Sequence, residues 1–137
     1  MKRLGLSALV VIAVGCSSAS PRSPELRANR ELWRSKDVTS YSYVFFNGHP
    51  LCPGLRREIV VVDSKVVSAN DIGGMCTPYP EPPPTIDDLF ELARTAPGKV
   101  TAQFDSQLGY PTRVDFDPEP TAVDDETWWG VEQLRPA

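Results

Sequence analysis

Thr85-Ile86-Asp87-Asp88-Leu89-Phe90-Glu91-Leu92-Ala93-Arg94-Thr95-Ala96-Pro97-Gly98 is the stretch on which the fold turns. Thr85 is a good N-cap, and Asp87 and Asp88 set carboxylates in the first turn, where a helix end is electropositive. Ile86, Leu89, Phe90, Leu92 and Ala93 supply an apolar face, and Pro97-Gly98 ends the pattern. The spacing predicts a mid-chain helix. Strand-like segments lie on both sides of it, so this helix decides the class as α+β.

Upstream, Glu58 to Val62 and Lys65 to Ile72 are β-branched runs joined by Asp63-Ser64, a short hairpin turn. Ser40 to Phe46 reads as a strand with Tyr41, Tyr43 and Phe45 on one face and Val44 and Phe46 on the other. Such an aromatic stripe suits a binding platform or a core, and we read it as core. Asn47 to Leu55 and Gly73 to Pro84 read as Gly/Pro-rich loops. Pro82-Pro83-Pro84 is stiff polyproline that could dock a partner, but it reads better as a spacer before the helix. An earlier helix is predicted from Pro24 to about Lys36, with Ser23 as N-cap and Leu26, Leu32 and Trp33 as apolar positions. Downstream, Lys99 to Asp105, Thr112 to Phe116 and Trp128 to Leu134 read as strands. The order is α-β-β-β-α-β-β-β. It implies an antiparallel sheet of about five to six strands with helices on one face.

The N-terminus carries a different signal. Lys2 and Arg3 precede an apolar run, too short to span a bilayer, that ends in Ala13-Val14-Gly15-Cys16. This is the pattern of a bacterial lipoprotein signal. Residues 1–15 would be the signal peptide, Cys16 the lipidated residue, 16–23 a small polar tether, and 24–137 one globular domain. An ordinary signal peptide with an incidental cysteine is the rival reading. Two or three acyl chains on Cys16 would hold the protein on a membrane, since each buried methylene contributes about 0.8 kcal/mol. The expected place is the cell membrane or outer membrane, outside the cytoplasm, with the membrane itself as the first partner.

Removing residues 1–15 leaves 122 of 137 residues, with 12 basic against 18 acidic side chains. That balance lacks the basic footprint nucleic acid requires. The basic share clusters in Arg22, Arg27, Arg30, Arg34 and Lys36, beside the anchor. Such a segment could lie over anionic head groups, though a solvated helix face is the preferred reading. With Cys16 spent on lipid, Cys52 and Cys76 form an even pair, which favours a disulfide in an exported chain. It would close a loop of about 25 residues and contribute roughly 3 kcal/mol. Two cysteines and one histidine fall short of a closed zinc site.

Leu32-Trp33, Tyr41-Ser42-Tyr43, the Val60 to Val67 hairpin and Thr85 to Phe90 recur in order with Phe104-Asp105, Gly109-Tyr110-Pro111-Thr112, Val114 to Asp117 and Asp125-Glu126. In these residues, from about Leu32 to Leu134, the chain resembles an uncharacterised group of bacterial exported and lipoprotein domains of unknown function. Members often carry cysteines close together after the first strand, whereas here Cys52 lies in that loop and Cys76 in the next. The resemblance implies no activity.

His49, the single histidine, sits between Gly48 and Pro50 with no nucleophile or orienting carboxylate placed near it by the sequence. Gly-x-Ser-x-Gly, phosphate-loop, dinucleotide and zinc motifs are absent, and no cofactor is implied. Asp115, Asp117, Glu119, Asp124, Asp125 and Glu126 crowd one loop; of these Asp117, Asp124, Asp125 and Glu126 are weak calcium-ligand candidates. A solvated turn is preferred, with Asp117 and Glu126 capping backbone groups or pairing with Arg113. Trp128 and Trp129 are adjacent and so face opposite sides of a strand; one should be core, and the other could serve recognition. The expected function is non-enzymatic binding or structural support in the cell envelope. Alternatives are an inhibitor or adaptor for another envelope protein, an unrecognised enzyme, or a calcium-binding domain.

Overall fold

A computed structural model of the chain describes residues 23–74 and 80–137. The expected signal segment (1–15), Cys16, residues 17–22 of the expected tether and Cys76 lie outside them. The described elements are α1 (Pro24–Ser35), β1 (Tyr41–His49), β2 (Cys52–Val62), β3 (Lys65–Gly73), α2 (Ile86–Thr95), β4 (Lys99–Phe104), β5 (Pro111–Asp117) and β6 (Thr127–Pro136). This is an α+β fold in the order α-β-β-β-α-β-β-β. Its one six-stranded sheet runs β3-β2-β1-β6-β5-β4, and every pairing is antiparallel.

Local chemistry sets the helix starts. Ser23 accepts the Leu26 N–H at 3.2 Å, with proline opening α1. In α2 the Thr85 hydroxyl oxygen accepts the Asp88 N–H at 3.2 Å, and the Asp88 carboxylate accepts the Thr85 N–H at 2.8 Å, a complete capping box. Asp63 and Ser64 take left-handed φ values of 48° and 62°, as a two-residue type I′ hairpin requires.

Both helices cover one face of the sheet. Tyr41, Tyr43 and Phe45 of β1 join Ile59, Val61, Val114, Phe116, Trp129 and Val131 in one buried cluster with Leu26 and Trp33 of α1 and Ile86, Leu89, Phe90 and Ala93 of α2. Trp33 meets Tyr41 edge-on at 5.4 Å, and Phe90 stacks on Phe104 at 6.3 Å. The helices run antiparallel, as the Arg34–Asp87 and Arg30–Glu91 pairs show, each at 3.4 Å. Among the described residues no helix is long and apolar enough to cross a membrane.

Two expectations change. Asn47 to Leu55 is mostly strand, not loop: Asn47 pairs with Leu55, Gly48 with Pro53 and His49 with Cys52 around a Pro50–Leu51 turn. A bulge after Asn47 absorbs the irregular spacing. Leu92 is not on the buried face of α2; it is 39% exposed, off the Ile86–Leu89–Phe90–Ala93 stripe.

Candidate functional site

One end of the sheet gathers most of the residues with chemical potential. The end of β1, the start of β2 and the start of β6 meet there, as the Gly48–Trp128 and His49–Cys52 pairings require. The tryptophans divide as strand geometry demands. Trp129 is buried against Phe45 and Phe116, with ring centroids at 6.4 and 5.8 Å. Trp128 is half-buried on the opposite face. Its indole lies against Gly48, where an added Cβ would fall 2.8 Å from the ring, and the Arg113 guanidinium sits 5.4 Å from the ring centroid. Arg113 is held by two-pronged hydrogen bonding to Asp115, the closest at 2.7 Å.

Both tryptophans, with Asn47, His49 and Leu55, line a pocket of about 350 Å³. No Asp, Glu, Lys or Arg is among its described lining residues. Asn47 continues the inward alternation of Tyr41, Tyr43 and Phe45, and its Oδ1 is buried without a hydrogen-bond partner. Buried polar atoms are nearly always paired, so this oxygen is a place where a donor would be welcome. His49 is half-buried, and its Nδ1 accepts the Leu51 N–H at 3.3 Å. That bond leaves the proton of the neutral ring on Nε2, as a donor. Among the described lining residues no carboxylate orients His49 for acid–base work.

The remaining candidates are placed elsewhere or engaged. Arg113 pairs with Asp115 and not with Asp117 or Glu126. Asp125 accepts the Glu119 N–H at 3.1 Å, while one oxygen each of Asp117 and Asp125 is buried without a partner. Asp117, Asp124, Asp125 and Glu126 do not assemble into a metal site: among the described residues no group of three or more His, Cys, Asp or Glu side chains could hold an ion. Two of the basic residues of α1, Arg30 and Arg34, face acidic partners on α2. The proline run is tied down by Glu81, which accepts from Arg57 at 2.8 Å, and by the Tyr43 hydroxyl, which donates to the Pro84 carbonyl. Cys52 is buried and disulfide-bonded.

Asn47 is a candidate that reading the sequence does not single out. Its signal was available: one more step of the β1 alternation puts a carboxamide on the buried face.

Comparison with known families places this domain. A family of unknown function, DUF6174, matches residues 25–136. The chain belongs to the DUF6174 family. The match takes in both helices and all six strands of this DUF6174 chain, save the first residue of α1. No curated protein and no solved structure matches it.

Proposed function

We propose that this DUF6174 chain is a membrane-anchored lipoprotein of the bacterial envelope whose domain binds a ligand and does not catalyse. The observation that carries the binding reading is the pocket of about 350 Å³ lined by Asn47, His49, Leu55 and both tryptophans, where Asn47 stands opposite Trp129 and its Oδ1 has no partner. Anchoring is supported by the Ala13-Val14-Gly15-Cys16 pattern, which follows Lys2, Arg3 and a short apolar run. Residues 17–23 reach at most about 25 Å, which keeps the domain close to the bilayer. Since lipid consumes Cys16, Cys76 is the proposed disulfide partner of Cys52.

Mass spectrometry of the N-terminal peptide from the expressing cell tests the anchor. A diacylglyceryl adduct on an N-terminal Cys16 is expected, and Cys16→Ser should move the protein out of the membrane fraction. An unmodified Cys16 overturns the anchoring.

A second reading, an adaptor or inhibitor for another envelope protein, draws on one observation. Leu51 and Val123, at the tips of the neighbouring β1–β2 and β5–β6 connections, are 82% and 85% exposed at the same end of the domain. Exposed apolar loop tips, with Asp124, Asp125 and Glu126 following Val123, suit a protein surface. Crosslinking from Leu51→Cys in native membranes should capture a discrete partner; a blank result removes this reading.

A further inference from the structure

We infer that β4 is the edge on which two copies of this chain pair, joining their sheets across a two-fold axis. This goes beyond the binding reading and does not depend on it. The two edges of the sheet differ. β3 is broken twice: its register with β2 shifts at Arg56/Arg57 and at Val60/Val61, each time with one extra residue on β3, Ile72 and Val67. Bulges of this kind keep an edge from pairing further. β4 has no such break. Lys99 to Gln103 run in unbroken register with β5, and the one shift, before Phe104, leaves the extra residue, Thr112, on β5. Among the described residues the other side of β4 has no strand partner.

The free backbone groups can be named. The Asp105 N–H donates to the Tyr110 carbonyl at 2.9 Å, so the backbone of Asp105 points toward β5. Alternation along the strand then directs the N–H and C=O of Phe104, Ala102 and Val100 outward. An antiparallel second β4 satisfies all of them in one register, with Ala102 opposite Ala102 of the second copy. Ala102 then shares two hydrogen bonds with its equivalent, and each Val100 shares two with the opposite Phe104. Any other register leaves Val100 or Phe104 opposite a residue outside the strand. The side chains agree with this choice. On the open face it sets Lys99 opposite Asp105 of the second copy, in the closer, non-hydrogen-bonded kind of pair. Lys99 is exposed and makes no ion pair among the described residues. Asp105 Oδ1 accepts the Gln107 and Leu108 N–H groups, which leaves Oδ2 for the ammonium. On the helix face a groove of about 280 Å³ lies between β4 and the start of α1, with Leu26, Val100, Ala102 and Phe104 in its wall. Val100 and Phe104 of the second copy cover that wall.

Cysteines read the register. Thr101 stands opposite Gln103 of the second copy, both exposed, and neither faces its own equivalent. Full-length Thr101→Cys and Gln103→Cys proteins, purified in detergent, are mixed and oxidised, and the linked peptides are identified by mass spectrometry. A disulfide between positions 101 and 103 is expected at about fivefold or more the yield of self-linkage in either variant alone, since a position and its own equivalent lie too far apart to bridge. Ala102→Pro removes an outward N–H and spares the β5 ladder, so it should raise the concentration for half-maximal linkage about tenfold or more. Circular dichroism confirms that this variant folds. Equal yields from the mixture and the single variants, or linkage untouched by Ala102→Pro, overturn the pairing. A crosslink from Thr101→Cys to a different protein in native membranes, with none to a second copy, gives the edge to another strand and overturns it as well.

Discussion

Two glycines fix the geometry that the pocket depends on. In the β1–β6 register Gly48 stands opposite Trp128 and Phe46 opposite Gly130, so each aromatic ring lies against a cross-strand glycine. Aromatic cover of glycine offsets the missing side chain in a strand. The two positions differ in what surrounds them. A Cβ on Gly130 would come within 2.2 Å of the Thr112 carbonyl oxygen and 2.3 Å of the Phe46 ring. The carbonyl belongs to the β5 backbone and cannot step aside. Gly130→Ala should therefore cost about 3 kcal/mol or more, the upper end for overpacking, in urea unfolding. A cost under about 1 kcal/mol would refute the packing. Gly48→Ala meets only the Trp128 indole, which can swing away. It should cost less, but should shift the tryptophan emission by moving one wall of the pocket.

At the scale of elements, α2 was legible because its signals are local. Thr85 and Asp88 lie three residues apart and form both bonds of the capping box within one turn. Thr85→Ala should cost about 1 kcal/mol by thermal or urea unfolding, the usual value for losing an N-cap. The face of α2 was legible only in part. Leu89→Ala should cost about 2–5 kcal/mol, because Leu89 is fully buried. Leu92→Ala should cost about 1 kcal/mol or less, and a cost equal to that of Leu89→Ala would contradict its exposure. The first hairpin was not legible for the opposite reason. Gly48 and Pro53 are turn residues by local rule, yet they pair with each other as strand, and β6, some eighty residues later, supplies a second partner for Asn47 and Gly48. Nothing near Asn47 in sequence announces Trp128. The pocket is thus a product of pairing distant in sequence, while its tryptophans and His49 were visible as residue types alone.

At the scale of the whole molecule, the chain is two successive α-β-β-β units, and β1 and β6 join their triplets into one sheet. The crossing between the units is pinned to β1 by two phenols. The Tyr43 hydroxyl donates to the Pro84 carbonyl, and the Tyr41 oxygen accepts the Ile86 N–H at 3.0 Å. Both phenols are buried, and burial is the main reason their ionisation is opposed. Tyr41 is pushed up to about 12, with Asp87 and Asp88 adding to burial against the opposing Ile86 bond. Tyr43 is raised further, by burial first and then by Tyr41 and Asp88. The unfolded phenols titrate near the ordinary value of about 10. Their folded values lie above it, so the contribution to stability is complete below pH 10 and is lost as pH rises past 10 toward and beyond 12. In that window each phenol should lower the unfolding free energy by about 1.4 kcal/mol per pH unit. Urea unfolding at pH 8, 9, 10 and 11 reads this slope, with phenolate absorbance on the folded protein lagging behind that of the unfolded chain. Tyr43→Phe should cost about 1–3 kcal/mol at pH 8, since the Pro84 carbonyl loses its donor, and should also flatten the alkaline slope, leaving the share of Tyr41 and of Tyr110, which burial also raises. Lysine and arginine titrations are common to both proteins, so the difference between the two slopes belongs to Tyr43. If the variant and the parent fall in parallel from pH 10 to 11, the phenols do not bind the two units together in the way the hydrogen bonds require.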